Sequence, residues 1–271
     1  MPRSPRILGF RPPRLRDVQA PLVGLPQPLR VVQLTDLHFG LVTPRRLIAR
    51  AVERTIEVEP DLVVLTGDFV CRGNRWISQI DRTLGPLAAA GLPVVAVLGN
   101  HDHFVAADAV RRALERAGVT VLQNRWTRVD LDPHPLFVAG MDDSTTRHDD
   151  IDATVAGLPD PQTHPVLGLT HNPSAAPTLW ARGIRGVLCG HTHAGQFVVP
   201  GVTVPLYERI LRQPFVAGLH TTSPSDAPTH TDDSHWVYVS AGVGAGAVPW
   251  RFGAPAAREV THLLLRPPDA R

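Results

Sequence analysis

The chain has 271 residues, 43% hydrophobic and 19% charged, with a formal net charge of +2. That length fits one large domain or two small ones with a sizeable core. The small net charge excludes a global nucleic-acid footprint, and no apolar stretch approaches the roughly 20 residues that span a bilayer.

All 27 basic residues are arginine, and Arg3, Arg6, Arg11, Arg14 and Arg16 fall in an acid-free part of segment 1–28. The segment lacks the apolar stretch of a secretory signal. It reads as a solvated tail, or as one weakly attracted to an anionic surface such as a membrane leaflet. Beyond it, "LRVVQL" (29–34), "DLVVLTG" (61–67) and "LPVVAVLG" (92–99) are near-continuously apolar, as strands covered on both faces are. Helical patterns follow each of them. In 43–60, Thr43 is the expected N-cap, Pro44 the first helical position, and Pro60 the stop. Leu47, Ile48, Ala51, Val52, Thr55 and Ile56 share one face of that helix. Residues 77–91 hold a second helix that Pro86 should bend or interrupt. The third, in 106–118, turns Val110, Ala113, Leu114 and Ala117 inward and meets Gly118 just past its end.

Further strands are expected at "PLFVAGM" (135–141), "PVLGLT" (165–170), "GVLC" (186–189), "WVYVS" (236–240) and "THLLLR" (261–266). Segment 197–219 mixes apolar residues with Arg209 and Arg212, and is either a core-packed hairpin or an apolar lip beside a site. The polar stretch 221–234 reads as a flexible surface loop. Helices alternate with the early strands and strands dominate later, which suggests a single mixed α/β domain over 1–271, with packed sheets covered by helices. Cys71 and Cys189 lie far apart in unlike contexts. They point to neither a disulfide framework nor a cysteine zinc site, and the cytoplasm is the expected compartment.

Ligand-type residues recur at the ends of these strands. "VVQLTDLH" delivers Asp36 and His38, "VVLTGD" Asp68, "VVAVLGNHD" Asn100, His101 and Asp102, "VLGLTHNP" His171, and "VLCGHTH" His191 and His193. Each piece alone has an ordinary reading: a solvated turn, a Gly-Asp or Gly-Asn loop, a helix entry. Together, five strands end in oxygen or imidazole donors, and ligands gather outside the carboxyl ends of strands in open α/β sheets. About seven such residues suffice for two metal sites sharing one carboxylate. Mixed imidazole and oxygen donors suit Mn²⁺, Fe or Zn²⁺ better than Ca²⁺ or Mg²⁺.

In this order, D-x-H, G-D, G-N-H-D, a later His and G-H-x-H resemble the calcineurin-like metallophosphoesterases, over about residues 30–260. The resemblance implies a four-layer α/β/β/α sandwich. It also implies two divalent or transition-metal ions, one on Asp36, His38, Asp68 and His193, the other on Asp68, Asn100, His171 and His191. Asp68 would bridge the ions, and His101 would face the substrate phosphate with Asp102 orienting its ring. The implied reaction is in-line attack of a metal-bound hydroxide on a phosphodiester or pyrophosphate bond. A cyclic-nucleotide phosphodiesterase is the enzymatic alternative, and a metal-less scaffold would require lost ligands.

Within the family, "THNP", "GHTHAGQFVVP", "YVSAGVG" and "WRFGAP" resemble bacterial membrane-associated phosphoesterases and the UDP-2,3-diacylglucosamine pyrophosphatase-like enzymes. That branch implies a lipid-linked or nucleotide-type substrate and peripheral membrane contact. The sequence departs from it at Ala194, where glycine is usual, at Ala241, where arginine is frequent, and in lacking a transmembrane helix. Arg251 is a candidate replacement for the missing arginine, or a member of a surface salt bridge.

Overall fold

The computed structural model describes residues 7–8, 12–199, 201–209, 213–222, 235–246 and 248–268. In chain order the strands are β1 (Ile7–Leu8), β2 (Arg14–Pro21), β3 (Leu29–Leu34), β4 (Leu62–Thr66), β5 (Val94–Val97), β6 (Thr120–Val121) and β7 (Arg125–Val129). They continue as β8 (Leu136–Gly140), β9 (Val166–Leu169), β10 (Gly186–Cys189), β11 (Gly218–Thr222), β12 (His235–Val239), β13 (Arg251–Phe252) and β14 (Glu259–Arg266). The helices are α1 (Arg45–Glu57), α2 (Ile80–Ala89), α3 (Asn100–Val105), α4 (Ala107–Arg116), α5 (Ile151–Val155), α6 (Ala176–Trp180) and α7 (Thr203–Arg209).

Two six-stranded sheets form, in the orders β2-β14-β3-β4-β5-β6 and β11-β12-β10-β9-β8-β7. Alternation along each strand sorts side chains into layers. Val31, Leu62, Val64, Val95 and Val97 of the first sheet meet Val138, Leu167, Leu169, Leu188, Trp236 and Tyr238 of the second, forming the core between the sheets. The neighbouring residues Val32, Val63, Leu65 and Ala96 point the other way, onto α1, α2 and α4. Ala139, Val187, Cys189 and Val239 likewise turn outward onto α6 and Ile184. This is the α/β/β/α sandwich, and it explains why the central strands are apolar at nearly every position.

Three local expectations change. Pro44 is the N-cap residue of α1, while Thr43 Oγ1 accepts from the backbone N–H of Ala245 at 3.0 Å instead of capping the helix. α2 runs through Pro86 without interruption, since proline there forfeits only its own bond to the preceding turn. The tail reading of the amino-terminal segment fails from Arg14 onward. β2 pairs in parallel with β14 along its full length, because Ala20 and Leu22 join the core between the sheets and Val18 packs against it. Arg3, Arg6 and Arg11, and residues 223–234 of the expected loop, lie outside the described residues.

Strands β3, β4, β5, β9, β10 and β12 all end toward one edge of the sandwich. β3, β4 and β5 are mutually parallel, as are β9, β10 and β12. The loops leaving the first five of these carry the ligand-type residues.

Candidate metal centre

The loops after β3 and β4 are laced together. Asp36 N donates to Gly67 O at 3.0 Å, His38 N to Asp68 O at 2.9 Å, and Phe39 N to Phe69 O. Asp36, His38, Asp68, His191 and His193 all have positive φ, between 47° and 74°. Such a conformation disfavours L-residues by about 1–3 kcal/mol each, and it clusters where side chains are held for function. Close approach explains two of the glycines. A Cβ on Gly190 would collide with the Thr35 hydroxyl and the Asp36 carboxylate, and one on Gly99 with Asp68.

All seven expected donors come together. His38 Nε2 and His193 Nε2 stand 3.1 Å apart, and Asp36 Oδ1 lies 3.4 Å from His193 Nε2 and 3.7 Å from His38 Nε2. Asp68 Oδ2 lies 3.5 Å from His38 Nε2 and 3.3 Å from His171 Nε2, so it reaches both halves of the cluster. Asn100 Oδ1 is 3.1 Å from His191 Nδ1. Donors held tetrahedrally at roughly 2.0–2.2 Å from one ion are about 3.3–3.6 Å apart, so these spacings are of ligand type. Tautomers agree. His171 Nδ1 donates to Thr66 O at 2.7 Å, which leaves its Nε2 lone pair facing the Asp68 carboxylate. His171 Nε2 and Asp36 Oδ1 are both buried without a hydrogen-bond partner. The residues present therefore fit divalent metal ions.

Electrostatics carry the same demand for positive charge. Burial opposes ionisation of Asp36 and Asp68, yet the neighbouring His193, His171 and His38 rings hold both carboxyls well below the usual range. Burial likewise opposes charge on His38 and His171, but Asp36 and Cys71 for the first, and Asp68 for the second, hold them up at about 10. His193 is driven down to about 3, chiefly by burial.

The sequence pattern of the calcineurin-like phosphoesterase family matches residues 29–195, more than half of the chain and all seven donors. The chain belongs to that family. It is 30% identical, over 94% of its length, to a transmembrane protein with metallophosphoesterase domain from Danio rerio. It spans only 58% of that relative. It is also 33% identical to phosphodiesterase YaeI of Escherichia coli strain K12, over 71% of this chain and 70% of the relative. The uncharacterized metallophosphoesterase YkuE of Bacillus subtilis is 28% identical, over 88% and 79% respectively.

Against this calcineurin-like frame, some residues take unexpected places. Asp102 does not orient the ring of His101. Its Oδ1 accepts from Phe69 N and Val70 N at 2.9 and 3.1 Å, and its Oδ2 from Gly99 N at 2.9 Å. It ties the Asp68 loop to the start of α3, and burial with the nearby Asp68 charge pushes its carboxyl up to about 7. His101 donates its backbone N–H to Asp68 Oδ1 at 2.9 Å, and its ring meets His38 edge-on, with centroids 4.9 Å apart. His103 turns to Asp142, 2.8 Å away, and stacks on His148.

The sequence reading missed Cys71 and Asp143. Asp143 lies just past the end of β8, fully buried with an unpartnered Oδ1, and its charge acts on both His171 and His191. Cys71 is a free, buried thiol. Burial would raise it, but hydrogen bonding to His101 and His38 brings it down to about 6. Its signal in the sequence was position alone, three residues after Asp68.

Arg251 is neither a surface ion pair nor a wall of the cleft. It is fully buried, and burial lowers it to about 9. Nη1 donates to Ala241 O and Ala256 O at 2.5 and 3.2 Å, and Nη2 donates to Gly244 O and to His193 Nδ1, the latter at 3.1 Å. A lysine reaches fewer of these acceptors, so Arg251→Lys should lower stability by about 1–2 kcal/mol in denaturant titration. Ala194, the residue standing where glycine is usual, has φ of 53°. Ala194→Gly should relieve about 1 kcal/mol and raise the melting temperature by roughly 2–4 °C. An unchanged or lower value would show that its buried methyl outweighs the strain.

A cleft of about 220 Å³ opens over the cluster, lined by Asp68, Arg72, Asn100, His101, His191, His193, Gln196 and Gly246. Beside it, 197–219 is not a hairpin. Its described residues include α7 and leave Phe197 48%, Val202 57% and Leu206 44% exposed, with Trp250 54% exposed near the pairing of Phe197 with Phe252. Side chains 210–212 lie outside the described residues, and among the described residues no helix is long and apolar enough to cross a membrane.

Proposed function

We propose that this chain is a dinuclear metal-dependent phosphoric ester hydrolase acting on phosphodiester or pyrophosphate bonds. The observation that carries the reading is the convergence of donors from five strand ends, in neighbouring pairs 3.1–3.7 Å apart. Asp36, His38, Asp68 and His193 would hold one ion, and Asp68, Asn100, His171 and His191 the other, with Asp68 shared. Bound there, Mn, Fe or Zn ions supply Lewis acidity and an activated water for in-line displacement.

The protein's own groups do the rest. Thr66 fixes the His171 tautomer through its carbonyl. His101, on the cleft wall, faces the phosphoryl oxygens and delivers a proton to the departing oxygen. Arg72 on the same wall adds positive charge for the substrate's remaining phosphate oxygens. The exposed Phe197, Val202, Leu206 and Trp250 favour an amphiphilic, lipid-linked or nucleotide-type substrate taken at a membrane surface. Two free, buried cysteines support the cytoplasm as the compartment. The single-domain organisation over 1–271 rests on the core shared by both sheets.

The test is a metal-supplemented screen of the chelator-treated chain. Its substrates are bis(nitrophenyl) phosphate, phosphomonoesters, cyclic nucleotides and nucleotide-diphospho-lipids. Hydrolysis of diesters or pyrophosphates that returns with about two ions per chain is the expected result. A preference for cyclic nucleotides would move the substrate class, and two bound ions with no hydrolysis of any substrate would overturn the reading.

A further inference from the structure

The two-ion reading leaves Cys71 unused. Cys71 Sγ, a ring nitrogen of His38 and a ring nitrogen of His101 lie within 4.8 Å of one another. The thiol donates to Gly246 O at 2.8 Å. A Cβ placed on Gly246 would stand 3.5 Å from His38 Nε2 and 3.8 Å from His101 Nε2. The sulfur, the Gly246 backbone and the two imidazole edges therefore enclose one small volume, next to the nitrogen that faces Asp36 and His193. Independently of the sulfur, Asp36 Oδ1 is fully buried, has no hydrogen-bond partner, and lies 3.7 Å from His38 Nε2. Backbone bonding fixes the thiol's place. Phe39 N donates to Phe69 O, and Cys71 N returns to Phe39 O at 3.1 Å, so residues 38 and 71 are carried on one zippered pair of loops.

We propose that Cys71 is an additional ligand, as a thiolate, of the ion held by Asp36, His38, Asp68 and His193. The inference rests on the dinuclear reading above and deepens it. On binding, the Sγ–H bond breaks, its proton leaves to solvent, and a sulfur lone pair is shared with the ion; nothing is oxidised or reduced. Thiolate is a softer donor than carboxylate or imidazole, so it biases this position toward zinc, iron or cobalt and against manganese or magnesium. The neighbouring ion, with only oxygen and nitrogen donors, carries no such bias. The two positions should then differ in the metal they retain.

Cobalt(II) reconstitution of the full chain tests this through absorption rather than turnover, because only a cobalt–thiolate bond gives an intense near-ultraviolet charge-transfer band. Cys189 is the one other cysteine in the sequence and is wholly buried in the apolar layer beneath the second sheet, so it serves as the control. The band is expected in the wild type and in Cys189→Ser, and its loss is expected in Cys71→Ser with cobalt still bound. The wild type and Cys189→Ser assign the band by themselves even where Cys71→Ser does not fold. Two bound cobalt ions without the band in the wild type would overturn the thiolate ligand and leave the dinuclear reading standing. A chain that binds no cobalt would overturn both.

Discussion

Asp68→Asn is expected to bring metal content from about two ions per chain to less than one and to reduce kcat/KM by about 10³-fold or more, roughly 4 kcal/mol of transition-state stabilisation. The substitution is nearly isosteric. Its amide oxygen can still accept from His101 N, as Asp68 Oδ1 does at 2.9 Å, so the loop keeps its shape. What disappears is the negative charge at Oδ2, which lies 3.5 Å from His38 Nε2 and 3.3 Å from His171 Nε2. An amide N–H₂ placed there points donors at the nitrogens that must offer lone pairs. Because one atom serves both halves of the cluster, both sites should weaken together. The stabilisation that added metal gives the native state should vanish with them. Metal analysis beside a thermal-shift series decides it: full occupancy with full activity would rule out a shared carboxylate.

The metal-free chain offers a companion readout. His38 and His171 are held at about 10 against an ordinary value of 6.5. A group whose folded-state pKa is raised contributes stability that is fully present below its unfolded pKa and lost as pH rises through the folded one. Stability of the metal-free wild type should accordingly decline between about pH 6.5 and 10. In Asp68→Asn the decline should be shallower, since His171 loses its principal charge partner.

The limits of sequence reading follow from burial. The eight strands legible in the sequence, β3, β4, β5, β8, β9, β10, β12 and β14, are the interior strands of the two sheets, and the four edges β2, β6, β7 and β11 were missed. Interior strands are covered on both faces and read as apolar runs. β2 and β11 keep polar and charged residues because half of each faces solvent or a pairing boundary. The seven donors were legible for a related reason: each follows an apolar strand directly. Cys71 and Asp143 were not, because nothing in their local pattern distinguishes them from ordinary loop residues. Arg251 was misplaced because a buried arginine and an exposed one look alike until its acceptors, the carbonyls of 241, 244 and 256, are brought around it by the fold.

His101→Ala should retain both ions and lose about 10²–10⁴-fold in rate on alkyl phosphodiesters, with a much smaller loss on nitrophenyl esters, whose leaving groups depart without a proton. The ring stands on the cleft wall, and its backbone N–H, not its imidazole, is engaged with Asp68. Its ring lies beside His38 and Phe104, at centroid distances of 4.9 and 6.1 Å, and beside Cys71. Asp102, beside it in sequence, has its oxygens taken by three backbone amides. That arrangement separates two substitutions a sequence reading would couple. Asp102→Asn replaces one acceptor oxygen with a donor, strands a buried amide, and should lower stability by about 1–3 kcal/mol. It should leave the ratio of alkyl to nitrophenyl rates as in the wild type, because no proton passes between Asp102 and the His101 ring. If His101→Ala slows both substrate classes equally with metals intact, the ring stabilises charge on phosphorus oxygens without donating a proton. If Asp102→Asn reproduces the leaving-group dependence of His101→Ala, the carboxylate orients the ring after all, and the three amides are not its whole role.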